Sequence, residues 1–265
     1  MRGAMSPYGE FCSPLMRQIR REAYGDDIGQ HSWITVEELR SDISRLQLSP
    51  STRLLDLGCG PGGPLTFVLS SVGCHGTGME VSASALSVAR GQAVSLGVDR
   101  LATLHEADLN EPIPLAGGSF DAAMSLDVVL HLRDRVEMFR EVARVLVPGG
   151  RFLLTDAGVV TGSISDEEVA LRSIHGHTQF AAPGFNERTL ERAGFRILAV
   201  EDRTSSLLKN ATGRITARLA HREELERVEG VTYFERQQRY LETVIRLSRR
   251  GAVSRTMYLA RSRAE

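Results

Sequence analysis

The sequence lacks the features that mark secreted, metal-binding or membrane-spanning proteins. It has only three cysteines, and their wide spacing supports neither a disulfide framework nor a zinc site. Apolar runs stay well short of the roughly 18 to 20 residues that cross a bilayer, and residues 1–8 lack the apolar core of a signal peptide. We therefore expect a cytoplasmic protein without a membrane span or a bound metal.

A strong excess of either charge is also missing. The 265 residues include 32 Lys and Arg and 33 Asp and Glu, which leaves a net charge of -1. This balance points neither to a nucleic-acid partner nor to an acidic tail. With 42% hydrophobic and 25% charged residues, the chain has an ordinary globular composition. Its length suits one sizeable α/β domain with additions, or at most two domains.

The stretch from Arg53 to Gly63, RLLDLGCGPGG, combines an apolar run, an acid and a glycine-rich loop. A buried parallel strand is apolar on both faces, so Asp56 near its end is costly unless it meets a cation or hydrogen-bond donors. Gly58, Gly60 and Gly63 satisfy G-x-G-x-x-G, which lets backbone approach a ligand closely and then opens a helix. Because a carboxylate at Asp56 would repel a pyrophosphate, the site favours a cationic ligand over a dinucleotide.

Two further acids stand at the ends of the next two predicted strands. Glu80 ends the second strand, 22 residues after Gly58, where a carboxylate can accept hydrogen bonds from both hydroxyls of a ribose. Asp108 follows the third strand. Since the carboxyl ends of parallel strands meet at one edge of a sheet, Asp56, Glu80 and Asp108 predict a row of acceptors along one crevice.

With Asp56 and its glycines, the stretch from Arg53 to Gly63 resembles the first motif of the class I S-adenosylmethionine (SAM)-dependent methyltransferases. The resemblance, which covers residues 53–157, implies a seven-stranded, Rossmann-like, doubly wound α/β sheet. It also implies that Asp56 lies at the methionine end of SAM, Glu80 at the ribose and Asp108 at the adenine amino group. The small-molecule members are the most similar group, namely the phosphoethanolamine and glycine or sarcosine N-methyltransferases and the ubiquinone or menaquinone C-methyltransferases. The implied cofactor-binding residues are Asp56, Gly58, Cys59, Gly60, Gly63, Glu80, Val81, Asp108, Leu109, Leu126 and Trp33.

The resemblance also divides the chain within one integrated domain. Residues 1–50 form an N-terminal helical cap or lid, residues 51–160 form the SAM-binding core, and residues 161–265 hold the remaining strands and the helices of a substrate chamber. Trp33, the only tryptophan, either packs the cap onto the core or forms a wall of the active site.

Local patterns predict further elements. Thr35 and Glu38 match a capping box, which predicts that a helix begins there. Asn186 is expected to cap a short helix. Apolar positions at helical spacing predict two helices over 207–228 and 233–249, which either wall the substrate chamber or form the interface of a homodimer. Four arginines of the first helix, Arg214, Arg218, Arg222 and Arg227, are consistent with a solvated face.

The segment after the fourth predicted strand supplies candidates for the acceptor side of the site. A histidine at position 131 can take a proton from a nucleophile or polarise it; a histidine satisfied at a helix start is equally consistent. His175 and His177 lie in an insertion, do not share a helix face, and lack a third ligand at metal spacing, which favours contact with substrate. The predicted substrate residues are Tyr24, Asp127, His131, His175 and His177, with His131 as the catalytic candidate.

We expect a nucleophile on a small molecule to take the sulfonium methyl by in-line displacement, leaving S-adenosyl-L-homocysteine. No Asn-Pro-Pro-Tyr motif follows the fourth strand, which disfavours nucleic-acid and protein targets and leaves a nitrogen, oxygen or carbon acceptor in small-molecule metabolism. Three alternatives remain. The chain could catalyse cyclisation or decarboxylation while binding SAM, act as an NAD-dependent oxidoreductase, or bind SAM as a non-catalytic partner protein.

Overall fold

A mixed sheet of seven strands runs through the computed structural model, which describes residues 8–263. The strands are β1 (Arg53–Leu57), β2 (His75–Glu80), β3 (Ala102–Glu106), β4 (Phe120–Leu126), β5 (Leu146–Val160), β6 (Phe195–Asp202) and β7 (Val253–Ser262). Their order is β3-β2-β1-β4-β5-β7-β6. The first five pair in parallel, and β7 runs antiparallel between β5 and β6. The predicted seven-stranded α/β fold is confirmed.

Helices cover both faces of this sheet and its carboxyl-end edge. They are α1 (Pro14–Tyr24), α2 (Val36–Leu46), α3 (Gly63–Val72), α4 (Ala83–Ser95), α5 (Arg135–Val145), α6 (Asp166–Arg172), α7 (Phe185–Arg192), α8 (Thr204–Ala220), α9 (Arg222–Glu229) and α10 (Val231–Arg249), with a 3-10 turn at Val129–His131. In residues 8–263 no helix is long and apolar enough to cross a membrane.

The apolar residues of β1 divide between two cores. Leu55 and Leu57 belong to the cluster that includes Phe139 of α5, whereas Leu54 belongs to the cluster that includes Leu65 of α3. Side chains alternate between the faces of a strand, so a parallel strand covered on both faces is apolar throughout. This is why the run in β1 reads as a buried strand.

A further helical layer stands over the carboxyl ends of the strands. Helix α1 packs against α8, and α8 against α10. At Gly213 of α8 an added Cβ would lie 2.0 Å from the carbonyl oxygen of Ala23 in α1. The absence of a side chain there lets the N-terminal helix and the inserted helices meet closely, and together they roof the crevice.

Two predicted elements differ from the structure. The expected helix over 207–228 is two helices, because the chain turns at His221, whose Nε2 lies 3.0 Å from a carboxylate oxygen of Glu22 in α1. Asn186 does not cap α7; Gly184 is the N-cap residue. Asn186 turns inward instead and donates to the Asp156 carboxylate at 2.8 Å. The capping box at the start of α2 is confirmed.

Candidate active site

A cavity of about 830 Å³ lies between the carboxyl ends of the strands and the roof formed by α1 and α8 to α10. This volume falls in the range of about 300 to 1,000 Å³ that is usual for small-molecule sites. Its walls divide into two parts. The part beside β1 and β2 carries the glycine loop and carboxylates, and the part beneath the inserted helices carries aromatic, histidine and arginine side chains.

Asp56 lies at the floor of the first part and is 2% exposed. Burial, with a smaller contribution from the negative charge of Glu80, raises the pKa of its carboxyl to about 8. Within residues 8–263 no basic side chain forms an ion pair with Asp56. A buried carboxyl without a cation is held neutral by desolvation, and an incoming cation would restore its charge. The residue therefore fits a ligand ammonium group.

Glu80 and Asp108 continue the acidic row. The two carboxylate oxygens of Glu80 accept hydrogen bonds from the backbone amides of Gly60 at 3.1 Å and Ser82 at 2.9 Å. An oxygen of Asp108 accepts from the backbone and side chain of Asn110 at 2.9 and 2.8 Å, and these bonds lower the pKa of Asp108. Both acids line the cavity. The structure therefore brings together the three carboxylates predicted from the sequence.

Three apolar residues of the predicted cofactor site also line the cavity. Val81 is 62% exposed although it is large and apolar, whereas Leu109 and Leu126 are buried. All three line the cavity beside the acids. An exposed apolar side chain next to carboxylates matches a ring with a polar edge, as the resemblance implies for adenine.

The glycines of the loop serve two different purposes. Gly58 has a φ of +77°, and an added Cβ would lie 2.5 Å from a methyl of Val128. Gly60 lines the cavity beside it, and so does Cys59, whose thiol pKa is raised by burial. Gly63, predicted to contact cofactor, faces the N-terminal segment instead, since an added Cβ would lie 2.4 Å from the carbonyl of Gly29.

The N-terminal segment covers this loop and contributes Trp33 to the cavity wall. The ring of Trp33 stacks on Tyr240 at 6.4 Å, and its backbone amide donates to an oxygen of Asp127 at 2.9 Å. Trp33 therefore packs the N-terminal segment onto the core and also lines the cavity. His31, which the sequence analysis missed, lines the same wall. Its pKa is lowered to about 3, mainly by burial and then by the charge of Arg214.

Asp127 lines the cavity, but its carboxylate is already engaged. One oxygen accepts from the Thr155 hydroxyl at 2.8 Å and from the Nε of Arg255 at 2.9 Å. The other accepts from the amide of Trp33, and Arg255 also donates to Glu38 at 2.8 Å. With a φ of +61°, Asp127 ties β4 to β5, β7 and the cap. This leaves it little capacity for the substrate contact that was predicted.

His131 is oriented by the insertion between β5 and α7. Its Nδ1 lies 3.0 Å from the backbone carbonyl oxygen of His177. A carbonyl only accepts, so Nδ1 carries the proton and Nε2 is left as an acceptor. The ring of His131 lines the cavity, where partial removal from solvent is the main cause that lowers its pKa below 6.5. The neutral form, which can take a proton, therefore predominates at pH 7.

The other predicted substrate residues separate into two groups. Tyr24 and His175 line the cavity, and the ring of His175 meets Tyr240 edge-on at 5.0 Å. His177 is exposed and lies outside the cavity lining. The substrate contact of His177 stays a prediction, and the contact that the structure shows is that of its carbonyl oxygen with His131.

Among the described residues five arginines line the cavity, and none of them was identified from the sequence as a site residue. The guanidinium of Arg214 lies 4.9 Å from the ring centroid of Trp33, that of Arg172 5.4 Å from Tyr240, and that of Arg236 5.4 Å from Tyr233. Arg214 is one of the four arginines that suggested a solvated face, and Arg236 stands in α10. Only the fold of the inserted helices over the sheet reveals that they point at the site.

Comparison with known proteins places this geometry in a family. Residues 55–154 match the methyltransferase domain family. Sarcosine/dimethylglycine N-methyltransferase of Halorhodospira halochloris is 33% identical over 231 residues, which cover 83% of this chain and 78% of that protein. Two solved structures share the fold. Phosphoethanolamine N-methyltransferase 2 of Haemonchus contortus has a TM-score of 0.80 at 19% identity, covering 98% of this chain and 61% of that one. The [4+2]-cyclase SpnF has a TM-score of 0.75 at 22% identity, covering 97% and 94%.

Proposed function

The chain belongs to the SAM-dependent methyltransferase family, and from that premise we propose that it methylates a small molecule held beneath helices α8 to α10. The observation that carries this proposal is the division of one cavity into an acidic part beside the glycine loop and an arginine- and histidine-bearing part beside it. The first part suits a cationic nucleoside cofactor, and the second leaves room for an acceptor. The relatives described above are named for the methylation of sarcosine, dimethylglycine and phosphoethanolamine, which are small molecules.

The residues of the acidic part fit SAM. We assign the unpaired, buried carboxyl of Asp56 to the amino-acid ammonium group, Glu80 to the ribose hydroxyls and Asp108 to the adenine edge. Glu80 also accepts the amide of Gly60, so the ribose contact and the shape of the loop depend on one carboxylate. When bound, SAM supplies an activated sulfonium methyl group.

The protein's own contribution is to position the acceptor, exclude water and receive a proton. Holding two reactants in attack geometry can lower the activation barrier by about 7 to 11 kcal/mol. We assign proton transfer to Nε2 of His131, whose tautomer is set by the His177 carbonyl. This step is needed when the acceptor attacks as a hydroxyl or an ammonium. The charge balance of the chain also supports a small-molecule acceptor rather than nucleic acid, and we propose that the reaction belongs to cytoplasmic small-molecule metabolism.

The test is calorimetric titration of the purified protein with SAM, S-adenosylhomocysteine and NAD, followed by an acceptor screen read by mass. We expect SAM and its product to bind and NAD to fail. Asp56→Asn should weaken SAM by about 10- to 100-fold, because it removes a charge-assisted contact. Asp121→Asn is the matched control, since Asp121 lies near the amino end of β4, at the opposite edge of the sheet, and pairs with Arg53 at 2.7 Å.

The outcomes separate the competing functions. Tight NAD binding, or equal SAM affinity in both variants, would overturn the assignment of the acidic row. SAM binding without any turnover to S-adenosylhomocysteine, together with conversion of an acceptor at unchanged mass, would identify a cyclisation on the same fold.

A further inference from the structure

Helix α10 presents one of its faces to the cavity. Tyr233, Gln237 and Tyr240 follow one another at spacings of four and three residues, which places them on one side of the helix, and all three line the cavity. Arg236 lines it too but is exposed. Between the two tyrosines the buried part of this face is therefore a carboxamide, which is polar and carries no charge.

The amide of Gln237 is buried and lacks a partner. The residue is 4% exposed, and its Nε2 has no hydrogen-bond partner among residues 8–263. The Nε2 of the next residue, Gln238, is also unpartnered in that range, but this residue lies outside the cavity lining and its Oε1 accepts from Arg218 at 3.2 Å. A buried donor left unpaired costs free energy. Of these two amides, only that of Gln237 stands where a ligand can supply the acceptor atom.

Two other atoms of the cavity wall are in the same condition. Oγ of Ser32 and Nε of Arg172 are buried and have no partner in the described part of the chain. A hydroxyl and a guanidinium N–H can both donate, as the carboxamide of Gln237 can. All three atoms are therefore satisfied by oxygen atoms on a ligand.

An apolar wall belongs to the same part of the cavity. Met16, Ile19 and Leu225 line the cavity, and they share one apolar cluster with Phe234, which precedes Gln237 by about one turn of α10. Removing apolar ligand surface from water against this wall is favourable in proportion to its area. The same surroundings penalise a buried charge far more than a neutral oxygen.

The charged side chains beneath the inserted helices already have partners or face solvent. Arg20 and Arg218 pair with Asp27 and Glu229. Four charged groups of this lining, of both signs, have no ion pair within residues 8–263, namely Glu10, Arg172, Arg214 and Arg236.

The partners of these four groups differ from that of an ion pair. Glu10 and Arg236 are exposed. Arg214 and Arg172 lie over the rings of Trp33 and Tyr240, at 4.9 and 5.4 Å from the centroids, and ring faces attract cations. Arg172 also donates to the Ala157 carbonyl at 2.9 Å. These guanidinium groups thus have aromatic or carbonyl partners, whereas the Nε2 of Gln237 has none among the described residues.

We propose that the methyl acceptor is an uncharged molecule with an apolar skeleton and a hydroxyl or carbonyl oxygen, and that Gln237 selects it by donating to that oxygen. This inference rests on the proposed function and specifies its substrate class. The skeleton lies against the apolar wall of α1 and α9. Asp127 agrees with an uncharged acceptor, because its carboxylate is matched by Arg255 at 2.9 Å and is not free to hold an ammonium group.

The experiment uses the whole chain loaded with S-adenosylhomocysteine, and loading is verified by calorimetry before any probe is added. Four probes share one apolar skeleton: naphthalene, neutral 2-naphthol, anionic 2-naphthoate and cationic 2-naphthylmethylammonium. Equilibrium dialysis at pH 7 gives the affinity of each. We expect 2-naphthol to bind saturably and about 3- to 10-fold more tightly than naphthalene, the ratio that one net hydrogen bond supplies. Both charged probes should bind more weakly than 2-naphthol.

Matched variants locate the contact. Gln237→Leu removes the donor at similar volume, so it should bind naphthalene as the wild type does and lose the preference for 2-naphthol. Gln238→Leu makes the same change at the adjacent buried position outside the lining and should keep that preference. Gln237→Asn keeps the amide but withdraws it by one methylene. It should also lower the preference, and it replaces Gln237→Leu if the latter does not load.

Three results would each overturn the proposal. Tighter binding of either charged probe than of 2-naphthol would exclude an uncharged acceptor. Equal affinity for 2-naphthol and naphthalene in the wild type, or a preference that survives in Gln237→Leu, would exclude the contact with Gln237. The absence of saturable binding by every probe would exclude the apolar wall as a ligand surface.

Failure of the proposed function gives a different result. If the wild type does not load S-adenosylhomocysteine, the cofactor assignment fails and the inference about the acceptor falls with it. If loading succeeds and one of the three results above follows, the cofactor assignment stands and only the inference about the acceptor is lost.

Discussion

Replacing Asp56 by Asn tests the site through both stability and binding. In the cofactor-free protein the pKa of Asp56 is about 8, against an ordinary value of 3.8. The folded state therefore holds a proton that the unfolded chain has released over this pH range. The stabilisation of the folded state by this proton on Asp56 is complete below about pH 4 and is lost as the pH rises toward 8. Asparagine cannot ionise, so the variant escapes this loss.

The magnitude follows from linkage. Each pH unit between the two pKa values changes the free energy of unfolding by about 1.4 kcal/mol. Because the amide also leaves buried polar atoms to satisfy, we expect a net gain for Asp56→Asn of about 2 to 4 kcal/mol at pH 7. At about 2 to 4 °C per kcal/mol for a chain of this size, the melting temperature should rise measurably. The same variant should bind SAM about 10- to 100-fold more weakly.

Thermal unfolding from pH 5 to 8 and calorimetry in two buffers of different ionisation enthalpy provide the readouts. The wild type should lose stability as the pH rises and release close to one proton on binding SAM at pH 7, because the ligand ammonium restores the charge of Asp56. The variant should show a flatter pH dependence and release none. The reasoning would be refuted if the stability of the wild type did not fall between pH 5 and 8. It would also be refuted if Asp56→Asn bound SAM as tightly as the wild type.

The remaining predictions concern the base, the loop and the buried ion pair. His131→Ala should lower kcat by about 10²- to 10⁴-fold and remove the acid limb of the pH profile below 6.5. The control His75→Ala, at the distant start of β2, should do neither. A loss of kcat that is the same at every pH would exclude a base. Gly63→Ala should weaken SAM binding by displacing the N-terminal segment, measured by calorimetry. Gly91→Ala adds a methyl group in open space on α4 and should instead raise the free energy of unfolding in urea by about 0.5 to 1 kcal/mol. Equal SAM affinity in the two variants would contradict the packing argument. Asp156→Ala should cost about 3 to 5 kcal/mol in the same assay, because it strands a fully buried guanidinium, and a loss below 1 kcal/mol would show that water replaces the carboxylate.

The parallel strands and their acids were predictable because their signals are local. The run in β1 is apolar on both faces since helices cover both, and this pattern is contained in five residues. Asp56, Glu80 and Asp108 lie at or just beyond the carboxyl ends of β1, β2 and β3, three consecutive strands of one segment. Parallel pairing alone then brings them to one edge of the sheet.

The acceptor side was predictable only in part because it is assembled from distant segments. Arg214 meets Trp33 across about 180 positions of sequence, and neither residue type signals such a contact. The turn at His221 escaped prediction for the same reason, since the apolar period continues through it while the end of α8 is set by packing on α1. His177 was predicted as a substrate residue from its place in the insertion, and the contact of its carbonyl with His131 depends on a fold that the sequence does not display.

The arginines of the cavity also bear on the strength of the base. After desolvation, the charge of Arg172 contributes to lowering the pKa of His131. Replacing Arg172 by Gln removes that charge, so the pKa of His131 should rise toward its ordinary value and make it a stronger base. The acid limb of kcat/KM, which reports the free enzyme, should then lie at a higher pH in the variant than in the wild type. Coincident limbs in the two proteins would show that Arg172 leaves the field at His131 unchanged.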